Sequence, residues 1–103
     1  MIKVSVMYPN SSDVKFDIDY YCDTHMPMVA ELLGDALKGS AVDYGMAGGA
    51  PGEAPAFVAM GHMTYESVEA FQKAFGPNAK QILSDLPNFT DAQPVIQISE
   101  IKL

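Results

Sequence analysis

His25 is the side chain best suited to proton chemistry, and it follows Tyr21 by four residues and Cys22 by three. On a helix, residues three and four apart share a face, so this spacing gathers an imidazole, a phenol and a thiol on one side. An imidazole gains and loses a proton near neutral pH. His25 could therefore take a proton from a carbon next to a carbonyl, or return it, as acid/base. Tyr21 could donate to the oxygen that gains charge in such a step. Pro27 lies two residues on, and a proline inside a helix has no amide hydrogen for the carbonyl four residues back. The plainer alternative is that His25 only donates to a carbonyl freed by that proline.

The other histidine, His62, lies in an alternating run. There Phe57, Ala59, Gly61, Met63 and Tyr65 share one face and His62 takes the other. His62 is thus expected at a sheet–sheet interface, and only a one-residue shift of parity would bring it beside His25. Ala59 and Gly61 leave the centre of their face bare, a space suited to a small-molecule pocket lined by Phe57, Met63 and Tyr65. The alternative is a helix packed closer to the sheet. Tyr20, Tyr44 and Asn88 could rim such a pocket. Cys22 has Asp19 and Asp23 nearby, which oppose a thiolate, so it reads as an apolar filler. Two histidines on separate elements and one cysteine do not make a metal-ligand set.

The elements that must position these groups follow from periodicity and punctuation. Ile2, Val4, Val6 and Tyr8 alternate into a first strand, ended by the turn residues 9–12. Asp17 caps a helix with the inward stripe Ile18, Tyr21, Cys22, His25, Val29 and Leu32, closed by Gly34. Pro27 predicts a kink or break, with a second short segment beginning there. A second strand is expected over 37–46, a loop over 47–55 and a third strand over 56–65. Helices over 67–75 and 78–86, separated by Gly76-Pro77, precede a turn at 87–90 and a last strand over 94–103. The order β-α-β-β-α-β is that of the ferredoxin-like α+β fold, a four-stranded antiparallel sheet with helices on one face. The other face would carry Met7, Val58, Met60 and Val95 or Ile96. That is apolar enough to call for a homodimer through the sheet faces.

With 103 residues the chain reads as a single domain over 1–103, and 49% apolar residues argue against disorder. Six lysines, no arginine and a net charge of −7 argue against nucleic acid or an anionic membrane as partner. The same composition disfavours strongly anionic substrates, which arginine forks would hold. One cysteine, no leader and no run of transmembrane length suit a cytoplasmic protein.

Several segments resemble the EthD family, within the dimeric α+β barrel superfamily. They are Phe16-Asp17, Tyr20-Tyr21 and His25-x-Pro27, the loop Gly48-Gly49-Ala50-Pro51-Gly52, Gly61-His62, Glu66-Ser67-Val68-Glu69-Ala70-Phe71 and Asn88-Phe89-Thr90. They span nearly the whole chain and look most like the short bacterial members labelled EthD family reductases. The resemblance implies the barrel dimer and a pocket between the first helix and the sheet. The family is named from ethyl tert-butyl ether degradation, where its member accompanies an oxidative system. Some relatives isomerise lactones from aromatic breakdown, and superfamily cousins are polyketide cyclases, monooxygenases or haem proteins.

The expected function is binding of a small, neutral, oxygenated organic molecule, with cofactor-free isomerase- or lyase-like proton transfer. His25 and Tyr21 would be catalytic, with Tyr20, Phe57, Ala59, Gly61, Met63 and Tyr65 binding substrate. No cofactor is expected: the glycine loop contains proline and opens no helix, unlike a dinucleotide fingerprint. A haem on His25 would leave its propionates without arginine partners. Two other readings stand beside this one. One is a non-catalytic carrier serving an oxygenase system in small-molecule catabolism, and the other is a cofactor-independent oxygenase.

Overall fold

The computed structural model describes residues 1–103. Alternation of apolar residues produces β1 (Ile2–Pro9), β3 (Phe57–Tyr65) and β4 (Val95–Glu100), with the shorter β2 (Gly39–Tyr44) at one edge. All neighbours are antiparallel, in the order β2-β3-β1-β4. The register sets Val4 opposite Met63 and Ile98, and Val6 opposite Gly61 and Ile96. The helices lie on this face. The result is the ferredoxin-like α+β arrangement, and no helix is long and apolar enough to cross a membrane.

The first helix begins as α1 (Ile18–Tyr20), widens into a π-helical turn over Tyr21–His25, and continues as α2 (Met26–Leu33). Asp17 caps it: the Tyr20 amide donates to Asp17 Oδ1 at 3.0 Å. Gly34, at φ 57°, terminates it in a conformation that a side chain disfavours. The chain is not broken at Pro27, although a second α-helical segment does begin beside it, at Met26. Met26 donates its amide hydrogen to Tyr21, five residues back. This wider turn moves the preceding carbonyls away from the proline ring, which would otherwise clash with the carbonyl four residues before it.

The widened turn also changes which residues face inward. Tyr21, His25, Val29 and Leu33, four apart in each step, are all buried. Cys22 is exposed, so the buried filler expected at that position is corrected. Leu33, rather than Leu32, completes the buried stripe.

Two shorter helices, α3 (Val68–Phe75) and α4 (Ala79–Ser84), cross the same face, with Ser67 capping α3 through the Ala70 amide at 3.0 Å. Asn78, in the tight turn between them, donates to the Ala74 and Leu32 carbonyls at 2.9 and 3.3 Å. That side chain ties the α3–α4 pair to α2.

The core divides into two clusters. Val4, Val29, Leu33, Met63, Tyr65 and Ile82 form one, and Tyr8, Tyr21, Ala59 and Phe89 the other. Full burial of one such large side chain contributes roughly 1.5–3 kcal/mol. The helices stop short of β4, whose Ile96 and Ile98 point to the helix side yet stay 52% and 41% exposed. On the outer face the register aligns Met7 with Met60 and Val95. Ile96 therefore belongs to the helix side, and Val95 to the outer face.

Candidate functional site

His25 is turned inward at the end of the π-helical turn and is 3% exposed. Its ring stacks on Tyr21, with centroids 5.4 Å apart and planes 14° from parallel. Phe89 packs against both rings, 4.7 Å from the imidazole at 52° and 5.1 Å from Tyr21. Phe89 is held in place by the start of the same helix, because the Asp17 amide donates to the Phe89 carbonyl at 2.8 Å. Beside it, Phe16 and Thr90 form an isolated antiparallel bridge.

The polar partner of His25 is Asp85, sixty residues away and just past α4. Nδ1 lies 2.8 Å from Asp85 Oδ2. The other carboxylate oxygen, Oδ1, accepts from Tyr20 Oη at 2.8 Å and from Asn88 Nδ2 at 2.8 Å. Burial alone would raise the pKa of Asp85. The hydrogen bonds from Asn88, His25 and Tyr20, together with the charge on His25, outweigh burial and hold the carboxyl below its ordinary value. The hydrogen bond Tyr20 gives to this anion raises the pKa of its own phenol. An ionised carboxylate can only accept, so neutral His25 carries its proton on Nδ1. Nε2 has no hydrogen-bond partner in the protein and is not among the sealed polar atoms.

Beside the ring is a cavity of about 70 Å³. Tyr21, Met26 and Val29 wall it from the first helix, Phe71, Phe75 and Ile82 from the helix pair, and Val4, Val6 and Met63 from the sheet. Leu83 and Leu86, at and just past the end of α4, with Pro94 and Ile96 at β4, complete the lining. Among the lining side chains His25 is the one that is neither apolar nor a phenol.

The residues expected to bind substrate are distributed differently from the sequence reading. Met63 lines the cavity, whereas Phe57, Ala59, Gly61, Tyr65 and Tyr20 do not. The bare space over Gly61 is filled: a Cβ at that position would collide with Tyr21 Oη. Ala59 lies fully buried in the aromatic cluster with Tyr8 and Tyr21. Tyr65 packs against Phe71 at 5.1 Å. Tyr20 reaches the site through Asp85 and by stacking on Phe89 at 6.2 Å. Burial pushes the Tyr8 and Tyr65 phenols up to about 12 and drives Tyr21 higher still, where it also meets the Tyr8 hydroxyl.

His62 lies on the outer face of the sheet, as its parity implied, between Ser5 Oγ at 2.8 Å and Asp43 Oδ2 at 3.1 Å. It is separated from His25 by the sheet itself. Tyr44 is exposed on the edge strand, and Asn88 serves Asp85 rather than a pocket rim. Asp85 was missed in the sequence because nothing local links it to His25. The one available sign is a carboxylate between Leu83 and Leu86 on an otherwise apolar helix end, followed by the turn residues Pro87 and Asn88.

Residues 11–93 match the family described as EthD domain. An EthD-like protein from Ralstonia eutropha JMP134 is 48% identical and superposes with a TM-score of 0.96, over 99% of this chain and 92% of that one. An ethyl tert-butyl ether (EthD) family protein from Bacillus halodurans C-125 is 20% identical, with a TM-score of 0.67 over 98% of each chain. The protein At3g17210 from Arabidopsis thaliana is 10% identical, with a TM-score of 0.66 over 99% of this chain and 95% of that one. At those identities the last two establish the fold alone. A comparison with curated proteins finds no match. A family match over most of the length, joined to a 48% identical relative, leads to one assignment: this chain belongs to the EthD family.

Proposed function

We propose that this EthD protein binds a small, neutral, oxygenated organic molecule beside His25 and moves a proton on it without a cofactor. The observation that carries the reading is the unpartnered Nε2 of a buried imidazole that lines an apolar cavity. The chemistry is isomerase- or lyase-like: His25 takes a proton from a carbon next to a carbonyl and returns it at the same or a neighbouring atom. Tyr21 is the candidate donor to the carbonyl oxygen. Its raised pKa keeps the phenol protonated, although its hydroxyl must turn from Tyr8 to serve. The lining holds no lysine and the chain no arginine, which favours an uncharged ligand. A volume far below the ~300 Å³ of ordinary ligand pockets restricts that ligand to a small one.

In this reading the protein works in the cytoplasm as a homodimer whose outer sheet faces cover Met7, Met60 and Val95, in small-molecule catabolism. Deuterium exchange tests the chemistry. A panel of neutral enolisable ketones, esters and lactones is incubated with the protein in heavy water, and loss of the α-proton signal is followed by NMR. Accelerated exchange of at least one compound is expected, with none in His25→Ala. Saturable binding with no exchange in the wild type would instead identify a carrier for an oxidative pathway. Substrate-dependent oxygen uptake would identify an oxygenase.

A further inference from the structure

We infer that Asp85, clamped by Tyr20 and Asn88, is a positioning residue that makes His25 a base first and an acid second. This rests on the reading of His25 as the group that moves the proton. The two carboxylate oxygens have separate duties. Oδ1 takes two neutral donors, Tyr20 Oη and Asn88 Nδ2, each at 2.8 Å. Oδ2 is left for the imidazole, also at 2.8 Å. With one oxygen anchored twice, the carboxylate cannot swing, and the direction of Oδ2 is fixed.

Two chemical consequences follow. The anion accepts a hydrogen bond from Nδ1–H and so excludes the opposite tautomer, leaving the Nε2 lone pair without a protein partner on a ring that lines the cavity. It also faces the imidazolium that forms when His25 has taken a proton. A cation beside a cavity walled by Val29, Met63 and Ile82 would otherwise be strongly disfavoured. Tyr21 and Phe89, which pack against the ring, bring no charge. Asp85 is thus the only charged group that contacts the imidazole, and it stays ionised because its own pKa is held down. The first chemical event is therefore abstraction from carbon to Nε2, and the second is return of that same proton from Nε2.

Nitrogen-15 NMR of the His25 ring tests this without any substrate. The wild type is expected to hold its neutral ring as the Nδ1-protonated tautomer. In Asp85→Asn the amide can donate as well as accept, so the tautomer should become mixed. Tyr20→Phe, which removes one of the two anchors of Oδ1, should move the tautomer ratio the same way by a smaller amount. Where a substrate is found, Asp85→Asn is expected to lose about 10–100-fold in turnover with little change in KM, and Asp85→Glu to recover part of it. A wild-type ring protonated on Nε2, or a tautomer unchanged in Asp85→Asn, overturns the inference. The wild-type spectrum decides the tautomer even if the Asp85 variants do not fold. Absence of turnover in a wild type with the expected tautomer overturns the functional reading alone.

Discussion

The hydroxyl of Tyr21 occupies the space that a side chain at position 61 would need. Gly61 is therefore the sheet's half of a fit whose other half is a phenol from the first helix. Gly61→Ala forces either Tyr21 or the strand to move, an overpacking change that costs about 1–3 kcal/mol. Because Tyr21 stacks on His25, the displacement should carry into the imidazole. Urea unfolding should show the loss of stability, and the His25 ring signals should shift. A variant as stable as the wild type would mean that Tyr21 has room to spare.

Acid should weaken the fold through Asp85. Its folded-state pKa lies below the unfolded value, so the folded protein releases this proton more readily. The stabilisation is complete above the ordinary aspartate range, near about pH 4. It is lost as pH falls from there through the lower folded-state value. Urea midpoints measured down through that window should fall in the wild type and change less steeply in Asp85→Asn. Parallel profiles for the two proteins would contradict this.

Alkali acts through the buried phenols with the opposite sign. Tyr8 and Tyr65 are pushed up to about 12, and Tyr21 is driven up further by burial. The folded state therefore holds these protons more tightly than the unfolded chain. The resulting stabilisation is full below about pH 10, the ordinary tyrosine value, and is lost as pH climbs toward 12 and beyond. Tyrosinate absorbance should show these rings ionising late, together with the loss of folded-state circular dichroism. Early ionisation of all five tyrosines in a still-folded protein is the contrary result.

Asp17 joins the helix start to the ring that covers the site. Its side chain caps α1 through Tyr20 and its amide holds the Phe89 carbonyl. Asp17→Ala removes the cap alone and should cost about 0.5–2 kcal/mol. Asp17→Asn, which retains a capping oxygen, should recover most of it. Thermal unfolding of the two variants provides the comparison.

Much of this architecture can be read from local pattern. The alternation in β1 and β3 sets the faces of Val4, Tyr8, Met63 and His62 correctly, and Asp17 and Gly34 mark the helix ends by their ordinary preferences. What escapes such reading is non-local or concerns helix phase. Cys22 points outward because a wider turn precedes Pro27, and a face assigned at ordinary helical pitch cannot anticipate that. The cavity lies under α3 and α4 rather than over Ala59 and Gly61, because a side chain from another element fills the gap at Gly61. Asp85 reaches His25 only after the chain has folded back across sixty residues, and no spacing rule spans that distance.

The π-helical turn works as a phase shifter built into a rod. An ordinary helix advances about 100° per residue. The wide turn holds one residue more than that pitch allows. Removing one residue from 22–24 would let it close to an ordinary turn, with Tyr21 and His25 three residues apart and Val29 and Leu33 where they are. The parallel stacking of phenol and imidazole, which rests on their four-residue spacing across the wide turn, would be altered. In this stretch of backbone, the length of the chain matters as much as the identity of its side chains.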